Sequence, residues 1–187
     1  MKKLLIYGSM EFAGVVRDLS RACDYECAGY IDDYAVGGEI IGDYEHVRRK
    51  FPRDSCKIAV AVGYKDLKAR WAVYEKVLGD GYDVPTIIHP RAYVRDISAV
   101  GRGSIVMAGA IVDFNAKVGE LCVLWPGTVV NHDSTIGDNT FLSPNSTVCG
   151  CAEVMGGCFI GAGAVIVDHV TVPYGSFVKA GRVFTGR

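Results

Sequence analysis

From Ile88 onward an aliphatic residue returns at every sixth position without a slip: Ile88, Val94, Val100, Val106 and so on to Val172 and Val178. Four places after each anchor the residue is small, from Ala92 through Cys122, Thr128 and Ser146 to Ser176, with Val170 as the exception. The place before that one favours Gly or Asn: Gly103, Gly109, Asn115, Gly127, Asn139, Asn145, Gly157, Gly163 and Gly175. An α-helix repeats every 3.6 residues and a strand every two, so a period of six belongs to neither and marks a stacked β-solenoid. Each hexad then reads as a short strand and a corner. The aliphatic anchor points inward, the small residue fills the tight inner corner, and Gly or Asn supplies the positive φ of the turn. Three hexads close one triangular coil.

The first half follows a different rule. Lys3–Tyr7 is a short apolar run and predicts a buried strand, followed by a turn at Gly8-Ser9-Met10-Glu11. Helical spacing over 12–22 places Val15, Val16 and Leu19 on one face. Further strands are expected at 28–31, 57–62 and 84–88, with helices at 44–51 and 65–78. Alternation of strand and helix implies a small parallel sheet with helices on its faces. The predicted fold is therefore an α/β, Rossmann-like βαβ domain over residues 1–86, followed by a parallel β-helix over 87–187.

Net charge is -1, which leaves no electrostatic footprint for nucleic acid or an anionic membrane. No apolar stretch is long enough to span a bilayer. Residues 1–6 begin like a signal peptide, but the apolar run stops at Gly8. Seven cysteines, an odd number in a chain of this size, argue against a disulfide framework and for a reducing cytoplasm. Cys149, Cys151 and Cys158 lie on the hexad grid; their spacing does not suit zinc, they read as core filler, and no metal is expected. Gly8-Ser9-Met10-Glu11-Phe12-Ala13-Gly14 departs from G-x-G-x-x-G at Met10, which speaks against NAD.

The hexad pattern resembles the hexapeptide-repeat acyltransferases, whose coils wind left-handed. The whole chain is similar to one branch, the sialic-acid O-acetyltransferase and nucleotide-amino-sugar N-acetyltransferase family. The matching landmarks are Leu5-Ile6-Tyr7-Gly8, Gly29-Tyr30-Ile31-Asp32-Asp33, Ile88-His89-Pro90 and the run from Val130-Asn131-His132-Asp133 to Asn139. The resemblance implies a first domain that holds a nucleotide-linked amino sugar. It also implies a β-helix that forms a homotrimer and binds acetyl-CoA between subunits.

On that resemblance His132 is the catalytic base and Asp133 its acidic partner. A histidine suits the role because its pKa lies near working pH, and a neighbouring carboxylate can fix its tautomer. His89 reads as structural, His169 as a corner residue and His46 as solvated. Gly150 matches a glycine near the thioester, where its N–H could face the oxyanion or the glycine could simply serve the corner. Ala162, with Gly161, matches the pantetheine channel; Phe141 and Lys179 are further expected cofactor contacts. The expected substrate contacts are Gly8, Ser9, Met10, Phe12, Asp32, Asp33, Gly63 and Asn131, although Asp32-Asp33 also reads as an acidic turn. The chain departs from the family at Phe12 and Phe141, where relatives carry histidines, and in its ending Lys179-Ala180-Gly181-Arg182-Val183. The expected function is acetyl-CoA-dependent N-acetylation of a nucleotide-linked amino sugar. O-acetylation of a sialic-acid-like sugar is the first alternative and a non-catalytic sugar-binding solenoid the second.

Overall fold

The computed structural model describes residues 2–186, and the chain divides into two compact units, Met1–Ile87 and Ile88–Arg187.

In the first unit β1 (Lys2–Tyr7), α1 (Glu11–Ala22), β2 (Tyr25–Ile31), β3 (Ile40–Gly42), α2 (Tyr44–Lys50), β4 (Lys57–Val60) and α3 (Leu67–Gly79) follow in chain order. The sheet is wholly parallel, with strand order β3-β2-β1-β4. β1 is central and Leu4 to Tyr7 are buried, as expected of a strand flanked on both sides. Helix α1 turns Ala13, Val16, Leu19 and Ser20 to the core, while Val15, expected on that face, is exposed. One step of the 3.6-residue period decides this, because Ala13, Val16 and Ser20 share a stripe that Val15 misses. Gly29, with φ +140°, lets β3 approach, since a Cβ there would stand 2.4 Å from Ile41 Cγ2.

Two strand expectations need correction. The fourth strand of this sheet is Ile40–Gly42, which no hydrophobic run announced. Residues 84–88 do not join it. Ile58 N–H donates to Asp83 O at 3.0 Å, Pro85 then interrupts, and the strand Ile87–Ile88 belongs to a sheet of the solenoid.

The second unit is a left-handed parallel β-helix with three walls. Paired residues are eighteen apart on every wall: Val123 with Phe141, Val130 with Val148, Ile136 with Val154. The first wall contains Val123–Leu124, Phe141–Leu142 and Phe159–Ile160; the second Val129–Val130 and Thr147–Val148; the third Thr135–Ile136 and Glu153–Val154. The anchors from Val100 to Val178 form one buried column. The residues at the inner corners from Ser104 to Ala164 are buried as well. Several of them use a side-chain donor there: Ser104 Oγ donates to Gly119 O at 2.8 Å and Cys122 Sγ to Gly137 O at 3.2 Å, whereas the buried Ser146 Oγ has no partner among the described residues.

All nine Gly and Asn corner positions read from the sequence have positive φ. Four corners do so without Gly or Asn: Leu121, Asp133, Cys151 and His169, at φ 55–58°. A left-handed residue of this kind costs on the order of 1–2 kcal/mol. Each corner residue offsets that cost by donating its N–H to a carbonyl one coil back, as in Asp133 to Phe114 O, Cys151 to His132 O and His169 to Gly150 O. Leu142 is fully buried in the anchor column. Leu142→Ala is expected to cost about 2–5 kcal/mol, read as a lower urea midpoint with an unchanged m-value.

Candidate active site

The corner between the second and third walls carries the densest chemistry. His132 and Asp133 lie in the turn from Val129–Val130 to Thr135–Ile136. Phe114 and Asn115 occupy the same corner one coil before, Gly150 and Cys151 one coil after, and Asp168 and His169 two coils after. His132 Nδ1 is 2.9 Å from Asp133 Oδ2, and both side chains are well exposed, at 57% and 40%. Asn115 Nδ2 donates to the other carboxylate oxygen, Asp133 Oδ1, at 2.8 Å. The hydrogen bonds from Asn115 and then from His132 hold the Asp133 carboxyl below the ordinary carboxylate range. A carboxylate so held favours the proton on Nδ1 and leaves the Nε2 lone pair free.

Gly150 stands directly against the imidazole. A Cβ on it would lie 2.5 Å from His132 Nε2 and 2.6 Å from Cε1. Its φ is not left-handed, and the corner residue is its neighbour Cys151, so corner geometry does not explain this glycine. It is there because the ring needs the space. Gly150 is buried, and its N–H donates to no group among the described residues. The side-chain amide of Asn131, next to His132, is likewise unengaged among the described residues.

The first unit brings its own candidates to one place. The strand order reverses direction between β1 and β4, and ligands of such sheets bind beyond the strand ends at that reversal. Gly8 follows β1 there, so close to the end of β4 that a Cβ would meet Ala61 O at 2.9 Å. Gly63 caps the short 3₁₀ turn that follows β4. Ser9 and Met10 lead into α1, with Phe12 in its first turn, and the N-cap Met10 is exposed and supplies no side-chain cap. Ser9 Oγ donates to Asp32 Oδ2 at 2.5 Å, and Asp32 Oδ1 accepts from the N–H groups of Tyr34 and Ala35. Burial would raise the Asp32 pKa, but these hydrogen bonds outweigh it and hold the group low. Asp33 is differently engaged. It accepts from Tyr7 OH at 2.5 Å and from Tyr44 N at 2.9 Å, tying β1 and α2 to the end of β2. The acidic pair thus divides, with Asp32 beside the loop of Ser9 and Asp33 a structural tie.

Comparison with known proteins now adds to this geometry. The family described as bacterial transferase hexapeptide (six repeats) matches residues 115–150, and the PglD N-terminal domain matches residues 3–77. No curated protein matches the chain in sequence. Among solved structures, the acetyltransferase domain of PglB from Neisseria gonorrhoeae superposes with a TM-score of 0.89 at 26% identity, covering 100% of this chain and 95% of that one. The same domain in complex with acetyl coenzyme A gives 0.90 at 28% identity, over 98% and 91%. PerB from Caulobacter crescentus, in complex with CoA and GDP-perosamine, gives 0.87 at 29% identity, over 97% and 87%. The chain carries bacterial transferase hexapeptide repeats, and it is an acyltransferase. The reading as a non-catalytic solenoid is thereby set aside.

Within the acyltransferase two of the expected cofactor contacts are buried. Phe141 faces outward from the first wall but is only 1% exposed, so its ring has no surface to give a ligand. Gly161 is buried, with its N–H bonded to Val178 O and its O accepting from Ala164 N. Its glycine serves coil stacking, because a Cβ would lie 2.4 Å from Ala180 N. Ala162 and Lys179 are exposed, but at the corner between the first and second walls, across the second wall from His132. Sequence reasoning missed Asn115 and Cys151 beside His132 and Asp133. The signal was available: with coils of eighteen residues, 115 and 151 are the neighbours of 133.

Gly150→Ala tests the corner directly. The backbone there accepts alanine, but the methyl group displaces the ring. The acyltransferase should lose about 10²-fold in kcat/KM, with its thermal unfolding midpoint near that of the wild type.

Proposed function

We propose that this acyltransferase moves an acetyl group from acetyl-CoA to the amine of a nucleotide-linked amino sugar, with His132 as general base. The observation that carries the reading is the His132–Asp133–Asn115 chain of hydrogen bonds, which leaves Nε2 free beside the unpaired N–H of Gly150. The near full-length likeness to PerB and PglB supports the choice of a sugar acceptor and acetyl-CoA as donor. The amine nitrogen attacks the thioester carbonyl as Nε2 takes its proton. The oxyanion of the tetrahedral intermediate is stabilised by the Gly150 N–H. Collapse breaks the C–S bond, and the imidazolium returns the proton to the departing CoA sulfur. No metal takes part in this scheme.

In the first unit, the N-terminus of α1, where Met10 supplies no side-chain cap, suits a phosphate. Ser9 and Asp32 suit a ribose or base at the strand reversal between Gly8 and Gly63. Asn131, next to His132 in the chain, would orient the acceptor.

A trimer completes the site. The outer residues of the third wall, Lys117, Thr135, Glu153 and Thr171, are polar and exposed. Those of the second wall are mostly apolar: Tyr93, Ile111, Val129, Val165 and Val183, of which Tyr93 and Val183 are each 52% exposed. Packing second walls around a three-fold axis buries that surface in closed heterologous contacts. It would also carry the Ala162 and Lys179 corner of one subunit towards the His132 corner of the next, where they could hold the pantetheine arm.

Release of free CoA thiol should be measured with acetyl-CoA and UDP-, GDP-, CDP- and dTDP-linked amino sugars, alongside free sialic acid. Turnover is expected on one amino sugar, with His132→Ala lowering it by about 10²–10⁴-fold. Turnover on sialic acid alone would move the protein to O-acetylation. Asp32→Asn should raise KM for the nucleotide sugar by about tenfold at nearly constant kcat, as expected for loss of uniform binding. Val165→Lys, on the second wall, should shift the light-scattering mass from trimer to monomer; a wild-type monomer would refute the assembly.

A further inference from the structure

We propose that the His132 corner is also an inhibitory zinc site, in which His132, Asp133 and the thiolate of Cys151 hold one Zn²⁺ and thereby switch the enzyme off. A ring nitrogen of His132, a carboxylate oxygen of Asp133 and Sγ of Cys151 all lie within 4.8 Å of one another, and all three residues are exposed. Zinc takes imidazole, thiolate and carboxylate ligands at about 2.0–2.3 Å in a tetrahedron. Modest rotations of exposed side chains bring the three atoms to that spacing. A fourth position remains for water, which makes the site open and reversible rather than structural.

Cys151 is no core thiol. Cys122 and Cys158 are fully buried at inner corners, where each sulfur donates to a carbonyl of the next turn. Cys151 instead sits on the outside of a left-handed corner, in the same column as Asp133 and one coil along. Strand spacing puts that coil about 4.8 Å away. The proposed acetyl transfer makes no use of it. Asn115 orients the Asp133 carboxylate from the other side, as an outer partner of a ligand should. Magnesium finds only one carboxylate here and no cage of oxygens, so the site selects a thiophilic ion.

Binding expels the thiol proton to solvent and engages the imidazole lone pair. That same lone pair accepts the amine proton in the reaction proposed above, so the inhibition rests on that reading whereas the binding does not.

The test begins with chelator-treated full-length protein titrated with Zn²⁺ and, separately, with Co²⁺. One ion per chain is expected, with thiolate-to-cobalt charge-transfer absorption. Cys151→Ala should remove that absorption and weaken Zn²⁺ binding by about tenfold or more. Its metal-free acetyl transfer should stay within about twofold of wild type, because Cys151 takes no part in the chemistry. Wild-type transfer should fall as Zn²⁺ fills the site, recover with chelator and ignore Mg²⁺. Unchanged Zn²⁺ affinity in Cys151→Ala, or Co²⁺ bound without thiolate absorption, would overturn the site. Zinc bound through Cys151 while transfer continues, or transfer that requires zinc, would overturn the switch. The cobalt spectrum needs no substrate, so it reports on the site even if the acceptor reading fails.

Discussion

One hydrogen bond sets the terms for the second unit: the N–H of most left-handed corner residues donating to the carbonyl one coil back. It lets the chain turn sharply three times per coil and locks every coil to its neighbour at the same place. Once that bond repeats, a residue's neighbours are those eighteen positions away rather than those beside it in the chain. Asp133 acquires Asn115 on one side and Cys151 on the other. His132 acquires Gly150. The corner pays for four non-glycine residues in left-handed geometry, Asn115, Asp133, Cys151 and His169, in one column. Strain gathered along a single edge is a physical reason to look for function there.

The same constraint explains why small residues matter more than their chemistry suggests. Gly161 is fixed by Ala180 on the next coil, and Gly150 by the imidazole of the previous one. Two glycines that look alike in sequence therefore do different work. One closes the stack, while the other makes room for a ring and leaves an N–H unengaged among the described residues. The three walls differ in a similar way. They share one interior, yet their outer rows are polar on the third wall and largely apolar on the second.

In the first unit the organising constraint is the reversal of strand order between β1 and β4. It leaves Gly8, Ser9 and Gly63 at the ends of adjacent strands, where a ligand can approach backbone. Asp33 anchors this arrangement through Tyr7 and Tyr44, whose hydroxyls burial and hydrogen bonding hold protonated far above the usual range. Asp32 keeps its carboxylate beside Ser9.

The period of six, the inward anchors and the Gly and Asn corners were legible from the chain alone, because each is a local demand of the coil on its own residues. The His132-Asp133 pair was legible for the same reason, its members being adjacent. What only the tertiary structure decided are relations across coils and across strands. These are the support of Asp133 by Asn115, the fit of Gly150 to the ring, the exposure of Cys151 and the burial of Phe141. They also include the pairing of Ile40–Gly42, a short strand with no apolar run of its own. Local pattern determines which conformation a segment can adopt, but contacts eighteen residues apart exist only after the coils have stacked.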